Sequence, residues 1–253
     1  MRTVKLFAVL LLAALAPAAG AADFADVTPY RPSVSNPAQL PAPGQLELEA
    51  GGLAAGNERS LPYLLKLAFS DTWGVLLGGD AYVRTHASGA SNEGIGDTSL
   101  VLKRAFIVDD ATAFGLELGV KLPTASTAIG SGKSDWTLNT IYSKDFGTLH
   151  VDANLNATRL GAPDPGASRT QAGASTSFSV ALDQHWTATW EVSGTRNPGA
   201  PSTAQALAAL SFAPDKRLVI DVGFAKGLNP ASPGWSVFSG VVLPLASLWP
   251  RKR

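Results

Sequence analysis

The sequence predicts an all-β fold: a transmembrane antiparallel up-and-down β-barrel of about twelve strands, behind a cleaved signal peptide. Three observations carry that prediction. From Gln45 onward apolar and polar residues alternate with period two. Short turns alternate with longer links rich in Gly, Ser, Asn and Pro, and the few charges on the apolar parity fall at strand ends.

Taken in order, residues 1–22 read as a secretory signal. Arg2 and Lys5 give the positive start, Leu6 to Leu15 a short apolar run, and Ala19-Gly20-Ala21-Ala22 a small-residue cleavage site. The run is shorter than the ~20 residues a membrane helix needs, and no later stretch reaches that length. Cleavage takes Arg2 and Lys5 from 20 basic residues and leaves all 20 acidic ones, a balance of −2. That excludes a broad basic surface, so no nucleic-acid partner is expected. The chain has no cysteine, which rules out a disulfide scaffold and thiolate metal sites. Its three histidines, at 86, 150 and 185, are far apart, and no cofactor or metal is expected.

Residues 23–43 hold Pro29, Pro32, Pro37, Pro41 and Pro43 and read as a Pro-rich, extended periplasmic lead-in. The barrel is assigned to 44–253. Its predicted strands are 45–54, 61–70, 73–85, 96–107, 111–122, 134–145, 147–159, 169–182, 185–196, 202–213, 217–226 and 235–243. Most approach the ~9–11 residues of a tilted membrane strand. The clearest is Phe114 to Leu122, with Phe114, Leu116, Leu118, Val120 and Leu122 on one face and Gly115, Glu117, Gly119 and Lys121 on the other. The weakest is 202–213, whose apolar face offers only Ala204, Ala206 and Ala208 at its start.

Short turns are expected at 71–72, 109–110, 145–147, 183–184 and 214–216. Longer external loops are expected at 55–60, 86–95, 123–133, 160–168, 197–201 and 227–234. Aromatics mark both sets: Phe69, Trp73, Phe106, Phe146, Trp186 and Phe212 near the turns, and Tyr63, Trp136 and Trp235 near the loops. Two such belts suit the two membrane interfaces.

If the apolar parity faces lipid, the other lines a polar lumen. The candidate pore-lining residues are Asp80, Arg84, Lys103, Glu117, Lys121, Asp135, Asp152, Glu191 and Asp221, with Glu47, Glu49, Lys66, His150, Asn154 and Asn156 on the same parity. On the outward parity, Arg104 and Lys144 sit beside short turns, and Arg159, Arg196 and Lys226 beside long loops. A Lys or Arg costs about 2–4 kcal/mol at the bilayer midplane and about 0–1 near the interface. A water-soluble barrel has no reason to keep its apolar-face charges at strand ends.

The middle of the chain resembles a known family. Gly94-Ile-Gly96-Asp97, Leu100-Val-Leu-Lys103, Lys121-Leu-Pro123-Thr124, Gly130-Ser-Gly132, Asp135-Trp136 and Tyr142-Ser-Lys144-Asp-Phe146-Gly147 are similar to the transporter family named for the meta pathway of phenol degradation. The resemblance is sharp over residues 94–160. It implies an outer-membrane barrel associated with uptake of small organic compounds and brings no catalytic residues with it. Where such barrels end on an aromatic residue, this chain ends Trp249-Pro250-Arg-Lys-Arg253.

Two motifs suggest other chemistry. Gly130-Ser-Gly132-Lys133-Ser134 is half a phosphate loop, but Thr127 stands where the first Gly belongs, and a strand follows instead of a helix. His86-Ala87-Ser88 resembles the His/Ser spacing of outer-membrane phospholipase A, with Asn92 or Asn139 to orient His86, but it lies in a Gly-rich loop. Glu117 and Lys121, with Asp135 and Asp152 on following strands, suggest either a charged constriction or paired polar filler. The expected function is passive uptake of small solutes, aromatic or hydrophobic ones included. The alternatives are a closed structural or surface-interaction barrel and, more distantly, an outer-membrane lipase. Expected partners are outer-membrane lipid, the barrel-insertion machinery and small organic solutes.

Overall fold

The computed structural model describes residues 24–87 and 89–249. The predicted signal peptide lies outside them, as do Ser88 and the tail from Pro250. The described residues form thirteen strands and no helix: β1 (Gln45–Ala55), β2 (Glu58–Ala68), β3 (Trp73–Ala87), β4 (Ala90–Gly94), β5 (Thr98–Asp109), β6 (Thr112–Leu122), β7 (Asp135–Phe146), β8 (Leu149–Arg159), β9 (Thr170–Ala181), β10 (Trp186–Arg196), β11 (Thr203–Asp215), β12 (Leu218–Gly227) and β13 (Trp235–Ser247). Every pairing is antiparallel, between chain neighbours except that β3 skips β4 to pair with β5, and β1 pairs with β13, so the sheet closes on itself. Twelve strands make the wall. The short β4 folds back on the upper part of β3, while the lower part of β3 pairs with β5.

Three sequence expectations change. The predicted loop 55–60 shrinks to Gly56-Asn57, with Gly56 at φ 52°, because β2 begins at Glu58. The alternation of short and long links therefore fails at that first hairpin. β4 lies inside the predicted loop 86–95, where Tyr82, bonded to Glu93, helps hold the extension together. The last strand runs on to Ser247. Strand prolines sit at irregularities, as their missing N–H requires: Pro62 at the shift between Ser60 and Pro62, and Pro244 opposite the shift at Leu46/Glu47.

The two faces of the wall decide its surroundings. Lys66, Lys103 and Glu47 are fully buried on the inner face. On the outer face Leu118 is 50% exposed, Val222 58% and Leu155 66%. An ordinary soluble surface has the opposite arrangement, and rarely exposes contiguous apolar patches beyond a few hundred Å². Here the apolar belt goes round the barrel, so the solvent it fits is hydrocarbon. Charges at its edges lie over aromatic rings: Arg104 is 5.0 Å from the Trp73 ring and 4.6 Å from Phe106, and Lys226 is 5.0 Å from Trp235. At the turn between β9 and β10, Asp183 accepts the N–H groups of His185 and Trp186, which hold its carboxyl below the ordinary range.

Candidate functional site

The lumen is occupied by the chain's own amino-terminal segment. Residues 24–43, for which the sequence suggests a periplasmic lead-in, enter at the turn end, where Asp26 pairs with Lys216 at 3.2 Å and the Val27 N–H donates to the Lys216 carbonyl. The segment rises to an apex near Val34–Asn36 and returns to β1. There the carbonyl of Gly44 accepts the Leu248 N–H. Gly44 has φ +82° and lies so close to the Trp249 indole that a Cβ would sit 2.9 Å from Nε1.

The reason a Pro-rich segment fits here is one of donor supply. Inside the barrel it has no strand partner, so each N–H needs an acceptor from outside a sheet ladder, and prolines carry no N–H. The wall supplies the rest. The Thr28 N–H donates to Glu47 (3.1 Å), Tyr30 and Arg31 to Glu49 (2.7 and 3.1 Å), and both Val34 and Ser35 to one oxygen of Glu191 (2.8 Å each). Asn36 donates to Asn154 (3.1 Å) and Ala38 to the Ser143 hydroxyl (2.8 Å).

Charges complete the seat. Among the described residues the barrel buries six carboxylates, Glu47, Glu49, Glu117, Asp152, Glu191 and Asp221, against two lysines, Lys66 and Lys103. Lys66 pairs with Glu47 and Glu49 at 3.0 and 2.6 Å, and Lys103 with Glu117 at 3.1 Å. Both lysines also donate to carbonyls of the segment, Thr28 and Pro37, and their ammonium groups lie 4.5 and 4.1 Å from the Tyr30 ring centroid. Asp221 receives a two-pronged contact from Arg31, Nε at 2.8 Å and Nη2 at 2.9 Å. Arg31 fits because Gly51 and Gly240, opposite each other in register, leave a slot; a Cβ on Gly240 would come 2.4 Å from its Nε.

The nine sequence candidates divide into three groups. Lys103, Glu117, Asp152, Glu191 and Asp221 are buried at the segment's seat. Lys121 and Asp135 pair at the loop end (3.0 Å), with Asp97 as a third member (3.2 Å). Asp80 and Arg84 lie on β3 beyond its pairing with β5, and Arg84 is exposed. Glu117 and Lys121 thus belong to two separate clusters, not one constriction. Reading the residues in isolation missed Tyr30, Arg31 and Asn36, which act from the segment, and the wall residues Asn139 and Ser143. The available signal was the excess of inward carboxylates over inward lysines, which calls for donors from elsewhere.

The other two motifs stay apart from this site. The His86 Nδ1 is 2.8 Å from the Ser91 hydroxyl, Ser88 lies outside the described residues, and Asn139 bonds Glu117 and Asn154 instead. Ser131, in the glycine-rich loop before β7, bonds Lys121.

Among the described residues a hollow lies on either side of the segment. The loop-end hollow, about 450 Å³, has Val34 and Asn36 in its floor and Asn139, Asn154 and Ser193 among its walls. The turn-end hollow, about 210 Å³, lies beside Pro32, Ser33 and Pro37 and includes His150, whose ring nitrogens reach Asp145 (2.6 Å) and Asp152 (3.2 Å).

Comparison with solved structures finds the same fold in porins. The KdgM porin in complex with disordered oligogalacturonate superposes with a TM-score of 0.57 at 11% identity, covering 78% of this chain and 98% of that one. The NanC porin gives a TM-score of 0.56 at 7% identity, covering 79% and 99%. No curated protein sequence matches. The family model described as "Putative MetA-pathway of phenol degradation" matches residues 30–245, a span holding most of the lumenal segment and nearly the whole wall, and the chain belongs to that family.

Proposed function

We propose that this protein is an outer-membrane channel for passive uptake of small solutes, closed at rest by residues 24–43. The observation that carries this reading is a polar lumen hollow at both ends and interrupted by a segment held almost wholly through side chains, the Val27 N–H to the Lys216 carbonyl at the turn end being a backbone bond. No strand pairing ties the segment to the wall, so it can leave without opening the barrel. Its seat is also imperfect at the apex. The Ser35 hydroxyl, Glu191 Oε1 and Asn139 Oδ1 are buried without partners, and each such atom costs about 1–3 kcal/mol.

The porin fold of KdgM and NanC supports the reading. The reading assigns the barrel no catalytic role and gives it lipid and the insertion machinery as partners. One observation favours the alternative, a permanently closed structural barrel: the many bonds along the rest of the segment.

Planar-bilayer recording separates the two. The full mature chain should give small, intermittent currents, and a chain lacking 24–43 a steady conductance. A truncated barrel that keeps its heat-modifiable gel mobility yet passes no ions would overturn the channel reading.

A further inference from the structure

We infer that the loop-end hollow is a binding site for uncharged, hydroxyl-rich solutes, sugar rings in particular; this deepens the channel reading and rests on it. At about 450 Å³ the hollow falls in the range of small-molecule sites. Among the described residues its lining contains no aromatic ring and no cationic side chain. An aromatic hydrocarbon would find no stacking partner there, and an acidic sugar no counter-charge. The one carboxylate in the lining, Glu117, is already engaged by Lys103 at 3.1 Å and by the Asn36 amide at 3.0 and 3.1 Å.

What the lining offers instead is amides and hydroxyls. They come from Asn139, Asn156, Ser175, Ser193, Thr195 and Gln205, interspersed with small apolar surfaces at Ala174, Ala204 and Pro233. A sugar has the matching duality: hydroxyls round its edge that both donate and accept, and C–H faces that pack on small apolar groups.

The amides are held in one orientation. The Glu117 carboxylate can only accept, so Asn139 must turn its Nδ2 toward it (2.9 Å); the same nitrogen donates to Asn154 Oδ1 (2.9 Å), which also accepts the Asn36 N–H. Asn139 Oδ1 has no donor from the protein and is itself shut off from the hollow, so the amides a solute meets are those of the half-buried Asn156 and Gln205 beside it. A lining of amides and hydroxyls rewards a ligand that carries hydroxyls and penalises one that carries none.

The test is saturation-transfer NMR on the full mature chain in a detergent without a sugar headgroup, with maltose, galacturonate and benzyl alcohol as probes. Maltose should show the strongest transfer. Gln205→Leu and Ser193→Ala, residues of the wall that supply none of the segment's hydrogen bonds described above, should each weaken it about threefold to tenfold. Stronger transfer to benzyl alcohol, or galacturonate equal to maltose, would overturn the inference. So would absence of maltose transfer while the chain lacking 24–43 conducts, and the channel reading would then stand alone. Maltose transfer lost in the variants, beside a silent truncated barrel, would support the site and sink the channel.

Discussion

Lys66 is fully buried in the middle of a membrane protein, yet nothing about it is unpaired. Two carboxylates, a carbonyl and the face of Tyr30 surround its ammonium group. Breaking such a set from one side costs more than the set is worth, because the partners stay buried and charged. Lys66→Met is expected to lower stability by about 3–5 kcal/mol, read as an earlier heat-modifiable gel transition. A variant matching the native transition would show that water already reaches Glu47 and Glu49. Arg31→Met acts differently, since Arg31 belongs to the lumenal segment and not, like Lys66, to a paired strand of the wall. It should leave the wall intact and lengthen channel openings in bilayer recordings. Lys66 and Asp221 were legible as inward residues from period two alone. Arg31 was not, because a residue in an irregular segment has no parity, and its partner lies 190 positions away.

At the level of elements, the strands were the most legible part, since a strand buried on one side and immersed in lipid on the other must alternate. What escaped was local. The Gly56-Asn57 hairpin turned on where Glu58 to Leu61 would pair, and β4 on a fold-back within a loop. Strand β6 makes the alternation testable. Leu118, half exposed on the outer face at mid-strand, faces the bilayer centre, and Leu118→Arg should cost about 2–4 kcal/mol in urea unfolding from lipid. An unchanged midpoint would place that face away from hydrocarbon. Strand β13 gives a second test. Gly240 leaves room for Arg31, so Gly240→Leu should reproduce the longer openings of Arg31→Met with the charge pair still present in sequence. Native-like gating in Gly240→Leu would mean the guanidinium has another place to go.

For the molecule as a whole, the wall and the segment inside it form one charge balance. With residues 24–43 removed, the lumen keeps six carboxylates against two lysines at the seat. The truncated barrel is therefore expected to prefer cations, seen as a reversal potential displaced toward that of potassium in a KCl gradient. Anion preference would contradict the inward placement of these carboxylates. The fold and the sign of each face could be read from the sequence because both follow from short-range pattern. The seat could not, because it is made by side chains from distant strands meeting a segment that has no pattern.

The occupant of the lumen also precedes every strand in the chain. It emerges before them during synthesis, while β13, whose pairing with β1 seals the ring, is made last. The segment is therefore already present when that seam closes, so the wall can be raised around it, much as a barrel is coopered around its contents.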